Sequence, residues 1–286
     1  MTNSLRRYFW LILLGILLVT NILVWLRVFV ETPRHELVVS FLDVGQGDAI
    51  FIQAPSGNKV LIDGGPDKKV LRQLNNLLSF TSRKIDLAIE SHPDSDHIGG
   101  LPDVVMRYDV STLLTSGAVG TSGDYKELEK EISDNTLREV RIKKDMIVDL
   151  GGGAKLEILS PVNNRKDLDS NTSSIVARLT YGQTAFMMTG DVTKSIEDYL
   201  AKTLGGRLKS DVYKVSHHGS RESSSEMFLG FIHPTYAVIS VGADNKYGHP
   251  HKEVLELLSR FNVQTFRTDS LGAITFVSDG ERVIKK

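Results

Sequence analysis

The sequence has no cysteine. That excludes disulfides, thiolate metal sites and a cysteine nucleophile, so any metal must be held by histidine and carboxylate side chains. A basic excess is missing too. There are 34 Lys and Arg against 35 Asp and Glu, a net of −1. Residues 1–30 carry Arg6, Arg7 and Arg27 and no acid, which leaves 31 basic and 35 acidic groups beyond them, a net of −4. This balance shows no basic face of the kind that grips nucleic acid without sequence preference. Repeats of 20–50 residues and low-complexity tracts are absent as well. What remains is an ordinary globular composition, 41% hydrophobic and 24% charged. Its 286 residues suit one medium domain with an anchor, or two small domains.

One long hydrophobic run is present. Residues 9–26 (FWLILLGILLVTNILVWL) carry no charge. As a helix they would span about 27 Å, close to the hydrocarbon thickness of a bilayer. Trp10 and Trp25 fall at its two ends, where amphipathic rings prefer the interface, and Arg6 and Arg7 precede it. A secretory signal has a shorter apolar core and a small-x-small cleavage site, and Val24-Trp25-Leu26-Arg27 offers none. The expectation is a retained anchor over residues 1–30, transmembrane at about 9–29, with a cytoplasmic N-terminus and the rest of the chain outside the cell membrane. Arg27 just beyond the run weighs slightly against that direction.

Residues 31–36 (ETPRHE) read as a polar linker, and residues 37–286 as one domain. Short runs rich in Val, Ile and Leu predict strands at 37–43, 49–53, 59–63, 85–90, 110–115, 155–159, 174–181, 184–188, 211–215, 236–241 and 273–277. Amphipathic periodicity predicts helices at 68–78, 124–133, 193–203 and 252–261. The interleaving predicts a layered α/β domain with a mixed sheet.

The sharpest chemical signal is residues 91–97 (SHPDSDH), directly after the apolar strand at 85–90. His92, Asp94, Asp96 and His97 are four metal-donor side chains within six residues. Alternating positions 92, 94 and 96 can face one point in a loop at a strand's carboxyl end. Such a mix of imidazole and carboxylate suits a divalent ion, and two ions can share so many donors. Downstream, Asp191 follows the strand at 184–188, in a place equally suited to a helix N-cap. His217 and His218 follow the strand at 211–215, where one may orient the other. His249 and His251 lie in a turn before a helix; His251 is assigned no role. His35 and His233 stand alone and read as structural.

These motifs resemble the metallo-β-lactamase superfamily, whose signature is His-x-His-x-Asp-His after a strand, then a bridging Asp and a late His. His92, Asp96 and His97 match the first motif, Asp191 the bridging acid and His217 the late His. Within the superfamily the chain is similar to the extracytoplasmic domain of ComEC-type competence proteins. The matching pieces are residues 41–49 (FLDVGQGDA), 61–65 (LIDGG), 91–100, Asn171 with Ser174, 189–191 (TGD), 217–220 (HHGS) and 248–250 (GHP). The resemblance implies an αββα four-layer sandwich with mixed sheets. It also implies two divalent ions held by His92, Asp94, Asp96, His97, Asp191 and His217. Asp94 stands where the wider superfamily has its second His, and Asn171 falls near the place of the mid-chain His. The harder donor set shifts preference from Zn²⁺ toward Mn²⁺ or Mg²⁺, with Zn²⁺ still accommodated.

The implied chemistry is hydrolysis by a metal-activated water, with Asp96 holding it in line and His249 or His218 assisting the leaving group or the developing oxyanion. Asp43, Asp48 and Asp63 read as backbone-organising groups or turn formers. The resemblance implies a phosphodiesterase or nuclease acting on DNA. Lys143, Lys144, Arg207, Lys209 and Arg221 are basic groups that could meet a phosphate backbone, and scattered surface charge explains them equally well. Competing readings are hydrolysis of another ester or an amide, such as a phosphocholine ester or a lactam, and a non-catalytic module of a DNA-uptake complex. Competence channels carry a multi-helix membrane domain and this chain one span, so the expected partners are the bilayer, DNA and a separate channel or uptake subunit.

Overall fold

A computed structural model describes residues 3–31, 35–78, 82–143, 145–160 and 170–286. Residues 32–34 of the expected linker and Lys144 lie outside the described residues, as does the side chain of Arg27. The chain divides into two compact units, Met1–Arg34 and His35–Lys286. The first is one helix, α1 (Asn3–Glu31), whose stretch Arg6–Trp25 is long and apolar enough to cross a membrane. Leu11, Ile12, Leu14, Leu17, Leu18 and Ile22 surround its axis, so it has no polar face of the kind a surface helix shows.

In the second unit the strands are β1 (Leu37–Phe41), β2 (Ile50–Gln53), β3 (Lys59–Ile62), β4 (Lys84–Ile85), β5 (Leu87–Glu90), β6 (Asp109–Val110), β7 (Leu113–Thr115), β8 (Glu139–Arg141) and β9 (Ile147–Gly151). They continue with β10 (Ala154–Ser160), β11 (Val176–Tyr181), β12 (Thr184–Met188), β13 (Val212–Lys214), β14 (Tyr236–Ile239), β15 (Gln264–Arg267), β16 (Ile274–Ser278) and β17 (Val283–Lys285). The α-helices are α2 (Lys69–Leu77), α3 (Ser95–Ile98), α4 (Leu101–Arg107), α5 (Gly123–Asp134), α6 (Lys194–Leu204), α7 (Glu226–Ile232), α8 (Lys252–Arg260) and α9 (Thr268–Leu271).

One large sheet runs β17-β16-β1-β2-β3-β5-β7-β8 and the other β15-β14-β13-β12-β11-β10-β9, and β4 and β6 form a separate parallel pair. Each large sheet is half antiparallel and half parallel. In the first, β3, β5, β7 and β8 run parallel; in the second, β12, β13, β14 and β15 do.

Strand alternation sorts the core into layers. Ile50, Ile52, Val60 and Ile62 join Phe186, Val212 and Val238 in the core between the sheets. Their neighbours Phe51 and Leu61 pack with Val70, Leu74, Leu101 and Val104 of α2 and α4. Met187, Tyr213 and Ala237 pack on the other side with Leu200, Phe228 and Val254 of α6, α7 and α8. Burial on both faces is why these strands read as continuous apolar runs. The expected αββα sandwich with mixed sheets is the observed fold.

Two expected strands divide. The run at 85–90 breaks at Asp86, whose carboxylate accepts the Lys59 N–H at 2.9 Å, and the run at 110–115 becomes β6 and β7. The carboxyl ends of β3, β5, β12, β13 and β14 meet at one rim of the sandwich, and the loops that follow them carry the site.

Candidate metal centre

β5 ends at Glu90, and the loop after it turns into the single-turn helix α3. This brings His92 and His97 inward, both fully buried, while Asp94 and Asp96 stay partly exposed. The loop is pressed from behind by residues 42–48. The Asp48 N–H donates to the Asp96 carbonyl at 3.3 Å. A Cβ on Gly47, at φ +137°, would stand 2.0 Å from that carbonyl oxygen, so only glycine fits there.

From the other sheet, Asp191 follows β12 and is buried. Ser174 Oγ accepts its backbone N–H at 3.2 Å. After β13, His217 (φ 50°), His218 (φ 53°) and Gly219 (φ 83°) form a run of left-handed residues. Each non-glycine residue in that region costs on the order of 1–3 kcal/mol and needs its surroundings to hold it. Here the His217 N–H donates to Gly190 O at 3.0 Å, and the Ser220 N–H donates to His217 O at 2.8 Å. Ser216 Oγ donates to the buried Glu197 carboxylate at 2.6 Å.

Asp96, His97, Asp191 and His218 present donor atoms that all lie within 4.8 Å of one another. His97 Nε2 is 3.3 Å from Asp191 Oδ1, and His218 Nε2 is 3.4 Å from both Asp191 Oδ2 and Asp96 Oδ2. His217 Nε2 approaches Asp191 Oδ2 at 3.6 Å, and His92 Nε2 approaches Asp94 Oδ2 at 3.6 Å. The His92 and His97 rings are 4.1 Å apart, and the His249 ring lies 5.7 Å from that of His217. All eight side chains nominated from the sequence therefore converge. Of the histidine pair, the one inside the four-donor cluster is His218.

On His92, His97 and His218 the nitrogen turned away from the cluster is tied down. Asp63 accepts the Ser91 N–H at 2.8 Å and the Ser91 O–H at 2.7 Å, and lies 2.8 Å from His97 Nδ1. Ser91 Oγ in turn sits 3.0 Å from His92 Nδ1. His218 Nδ1 donates to Ser240 O at 2.9 Å. The inward atoms, His92 Nε2, His97 Nε2, His218 Nε2 and Asp191 Oδ1, are buried and make no hydrogen bond among the described residues. Orphaned lone pairs pointed at one another are costly unless something shares them. Imidazoles fixed by carboxylate, hydroxyl or carbonyl on one nitrogen and free on the other are the arrangement of metal ligands. The donor set fits a divalent cation.

A second trio, Asp48, Asp63 and His97, is equally close. Most of its atoms are already engaged: His97 Nδ1 by Asp63, and Asp48 Oδ2 by the buried Lys214 ammonium at 2.8 Å, while Asp48 Oδ1 has only His218 Nδ1 nearby at 3.4 Å. It is scaffolding for the first group. Asp48 and Asp63 were legible as organising groups, but Lys214, Ser91 and Asn245 were not. The signal for Lys214 was a lysine closing a strand otherwise able to be buried on both faces. Asn245 clasps His249: its Oδ1 accepts the His249 N–H at 2.9 Å and its Nδ2 donates to His249 O at 2.8 Å.

The electrostatics show surplus carboxylate. Burial pushes the Asp191 carboxyl up, but His218 and His97 outweigh it and hold it well below the usual range. Burial likewise raises Asp96, yet the close approach of His218 and the charges of His97 and His218 bring it to about 2. Burial disfavours the cations of His97 and His218, but Asp191 and its fellow carboxylates hold both well above the ordinary histidine range. His92 is lowered, by burial and then by His97. His249 is lowered to about 4, by burial and by neighbouring histidines. A divalent ion would take the place of the protons these carboxylates attract.

Residues 42–243 match the metallo-beta-lactamase superfamily. The chain belongs to that superfamily. Relatives similar to it include ComE operon protein 3 of Bacillus subtilis (strain 168), 32% identical over 256 residues, 83% of this chain and 32% of that protein. Competence protein ComA of Neisseria gonorrhoeae is 30% identical over 85% of this chain and 33% of its own length. Recombination protein 2 of Haemophilus influenzae is 30% identical over 86% and 29%. The chain thus spans about a third of the length of these relatives. Among solved structures of the same fold are Igni18, a metallo hydrolase from Ignicoccus hospitalis (TM-score 0.55, 13% identity, covering 84% of this chain and 98% of that one), and Zn²⁺-bound PqqB from Methylobacterium extorquens (0.51, 11%, 84% and 99%). The Asn171 Oδ1 atom is buried and has no hydrogen-bond partner among the described residues.

Proposed function

We propose that this protein is a single-pass membrane hydrolase whose extracytoplasmic domain cleaves phosphodiesters, with DNA as substrate, using two divalent ions, Mn²⁺ or Zn²⁺. The observation that carries the proposal is the group of donor atoms from Asp96, His97, Asp191 and His218 within 4.8 Å of one another, of which His97 Nε2, His218 Nε2 and Asp191 Oδ1 are buried and make no hydrogen bond among the described residues. Similarity to competence proteins supports DNA as the substrate and a DNA-uptake assembly as the setting. Asp96, His97, Asp191 and His218 would hold one ion. His92, Asp94 and His217 would hold the other, with Asp191 shared between them. When bound, such ions supply a nucleophilic hydroxide at neutral pH and neutralise charge on the phosphate.

The chain's own groups do the rest. Asp63, Ser91 and Ser240 fix which nitrogen of His97, His92 and His218 faces inward. Asp96, partly exposed at the mouth and ionised, orients the attacking water. His218 turns one nitrogen to Ser240 and the other into the donor cluster, 3.4 Å from Asp96 and Asp191. The hydrogen bond to the leaving oxygen falls to His249, a neutral imidazole beside the centre whose backbone Asn245 holds still, and water supplies the proton.

The test is made on the full chain in detergent. After Mn²⁺ loading, metal content near two ions per chain and cleavage of DNA and bis(4-nitrophenyl) phosphate are expected. Asp96→Ala and His92→Ala should each lower the rate by at least about 100-fold, the equivalent of roughly 3 kcal/mol of transition-state stabilisation. Near-zero bound metal after loading, or full activity in either variant, refutes the proposal. Turnover of a phosphocholine ester or a lactam in place of phosphodiesters would redirect the substrate. For the anchor, the protein should resist an alkaline wash of membranes, with residues 35–286 open to protease from the outside.

A further inference from the structure

We infer that the rim beside His249 is a base-stacking subsite, and that the substrate is a single-stranded nucleic acid. The inference rests on the phosphodiesterase reading of the metal centre. Tyr247 is 53% exposed in a polar turn. Its ring lies parallel to that of His249, at 5.6 Å and 22°. The His249 ring in turn lies 4.9 Å from His251 and 5.7 Å from His217. Aromatic surface thus continues from solvent to the imidazoles around Asp191. The platform is held rigid: Asn245 bonds both backbone groups of His249, and its Nδ2 also bonds Gly242 O at 2.8 Å.

Cations flank the platform. Lys246 is exposed, and its Nζ stands 5.2 Å from the Tyr247 ring centre. Beyond His251, whose Nδ1 accepts the Arg221 N–H at 3.2 Å, Arg221 and Lys194 line a cavity of about 650 Å³. Among the described residues neither of these two has an ion-pair partner within 4 Å, whereas Arg260 in the same cavity is paired with Glu226 at 3.3 Å. Lys194 stands three residues past Asp191 and Arg221 three past His218 along the chain, and Asp198, Glu226 and Glu253 line the same cavity.

An exposed ring with cations around it recognises an unpaired base and its flanking phosphates. A duplex keeps its base faces covered by stacking, so it cannot use such a platform. A quaternary ammonium headgroup is disfavoured, because Lys246 already places positive charge over the ring. The base that stacks on Tyr247 belongs to a nucleotide beside the scissile phosphate, which fixes that phosphate over the ions.

The test measures binding apart from cleavage. Fluorescence anisotropy follows the full chain in detergent with chelator present, against three probes. These are a single-stranded oligonucleotide of about 12 nucleotides, the same backbone with every base removed, and the duplex. The single strand should bind most tightly. Tyr247→Ala should weaken it by about 5- to 150-fold, leave the abasic strand unchanged and leave the duplex unchanged. Tyr247→Phe should keep the wild-type preference. An unchanged affinity in Tyr247→Ala, or an equal loss on the abasic strand, overturns the inference. Failure of the wild-type chain to cleave any probe with Mn²⁺, while this binding pattern persists, would remove the phosphodiesterase reading and leave the subsite standing.

Discussion

Asp63 is never a donor to the proposed ions, yet its loss should be felt there first. Its carboxylate takes the Ser91 N–H, the Ser91 O–H and His97 Nδ1, all at 2.7–2.8 Å. In Asp63→Asn one acceptor oxygen becomes an NH₂ donor facing His97 Nδ1. His97 then has reason to carry its proton on Nε2, the atom the cluster needs bare. Loss of such a supporting group lowers metal affinity by about 10–100-fold. A thermal-stability titration reads this out. At Mn²⁺ equal to about 100 times the wild-type Kd, bound metal stabilises the wild type by about 2.7 kcal/mol. A tenfold weaker variant keeps about 1.4 kcal/mol of that and a hundredfold weaker one about 0.4 kcal/mol. Metal-free Asp63→Asn should also unfold more easily, since charge-assisted bonds are lost from a buried site. A variant that is folded but shows the wild-type metal-induced shift would refute this account of Asp63.

Lys214→Met should leave Asp48 as a buried unpaired carboxylate and cost about 3–5 kcal/mol in urea unfolding with chelator present. Adding Asp48→Asn should recover most of that loss, and a double variant as weak as the single one would contradict the pairing. Glu90 is buried, and burial together with Asp63 raises its carboxyl well above the usual range. Its folded-state pKa exceeds the unfolded one, so its contribution is fully present below the unfolded pKa and is lost as pH rises through the folded pKa. Glu90→Gln should therefore raise the metal-free melting temperature more at pH 8 than at pH 5; an equal effect at both would contradict the burial argument.

The parts of the fold legible in the sequence were those buried on both sides. Strands β2, β3, β12 and β13 carry apolar side chains into two layers at once, and their apolar runs were plain. The strands not anticipated, β8, β9, β15 and β17, are the four edges of the two sheets. Each is mostly exposed or half-buried, as in Glu139–Arg141 and Val283–Lys285, so no apolar run marks it. At the site, His92, Asp94, Asp96 and His97 were legible because they crowd into six residues. That Asp63 reaches Ser91 and His97 across about thirty residues is a product of β3 pairing with β5, which local pattern does not encode. Which member of the His217–His218 pair enters the cluster depends on consecutive left-handed residues.

The donors come in two sets, one from each sheet: His92, Asp96 and His97 follow β5, while Asp191 and His218 follow β12 and β13. An ion seated among them is a rivet through the seam of the sandwich. Its grip would register how well the halves are clamped, so a core change far from the rim, for instance at Phe276 or Leu156, would reach the chemistry as a loosened rivet. Conversely, chelation would let the seam breathe at that end, and amides of the 91–98 and 189–192 loops would exchange with solvent together.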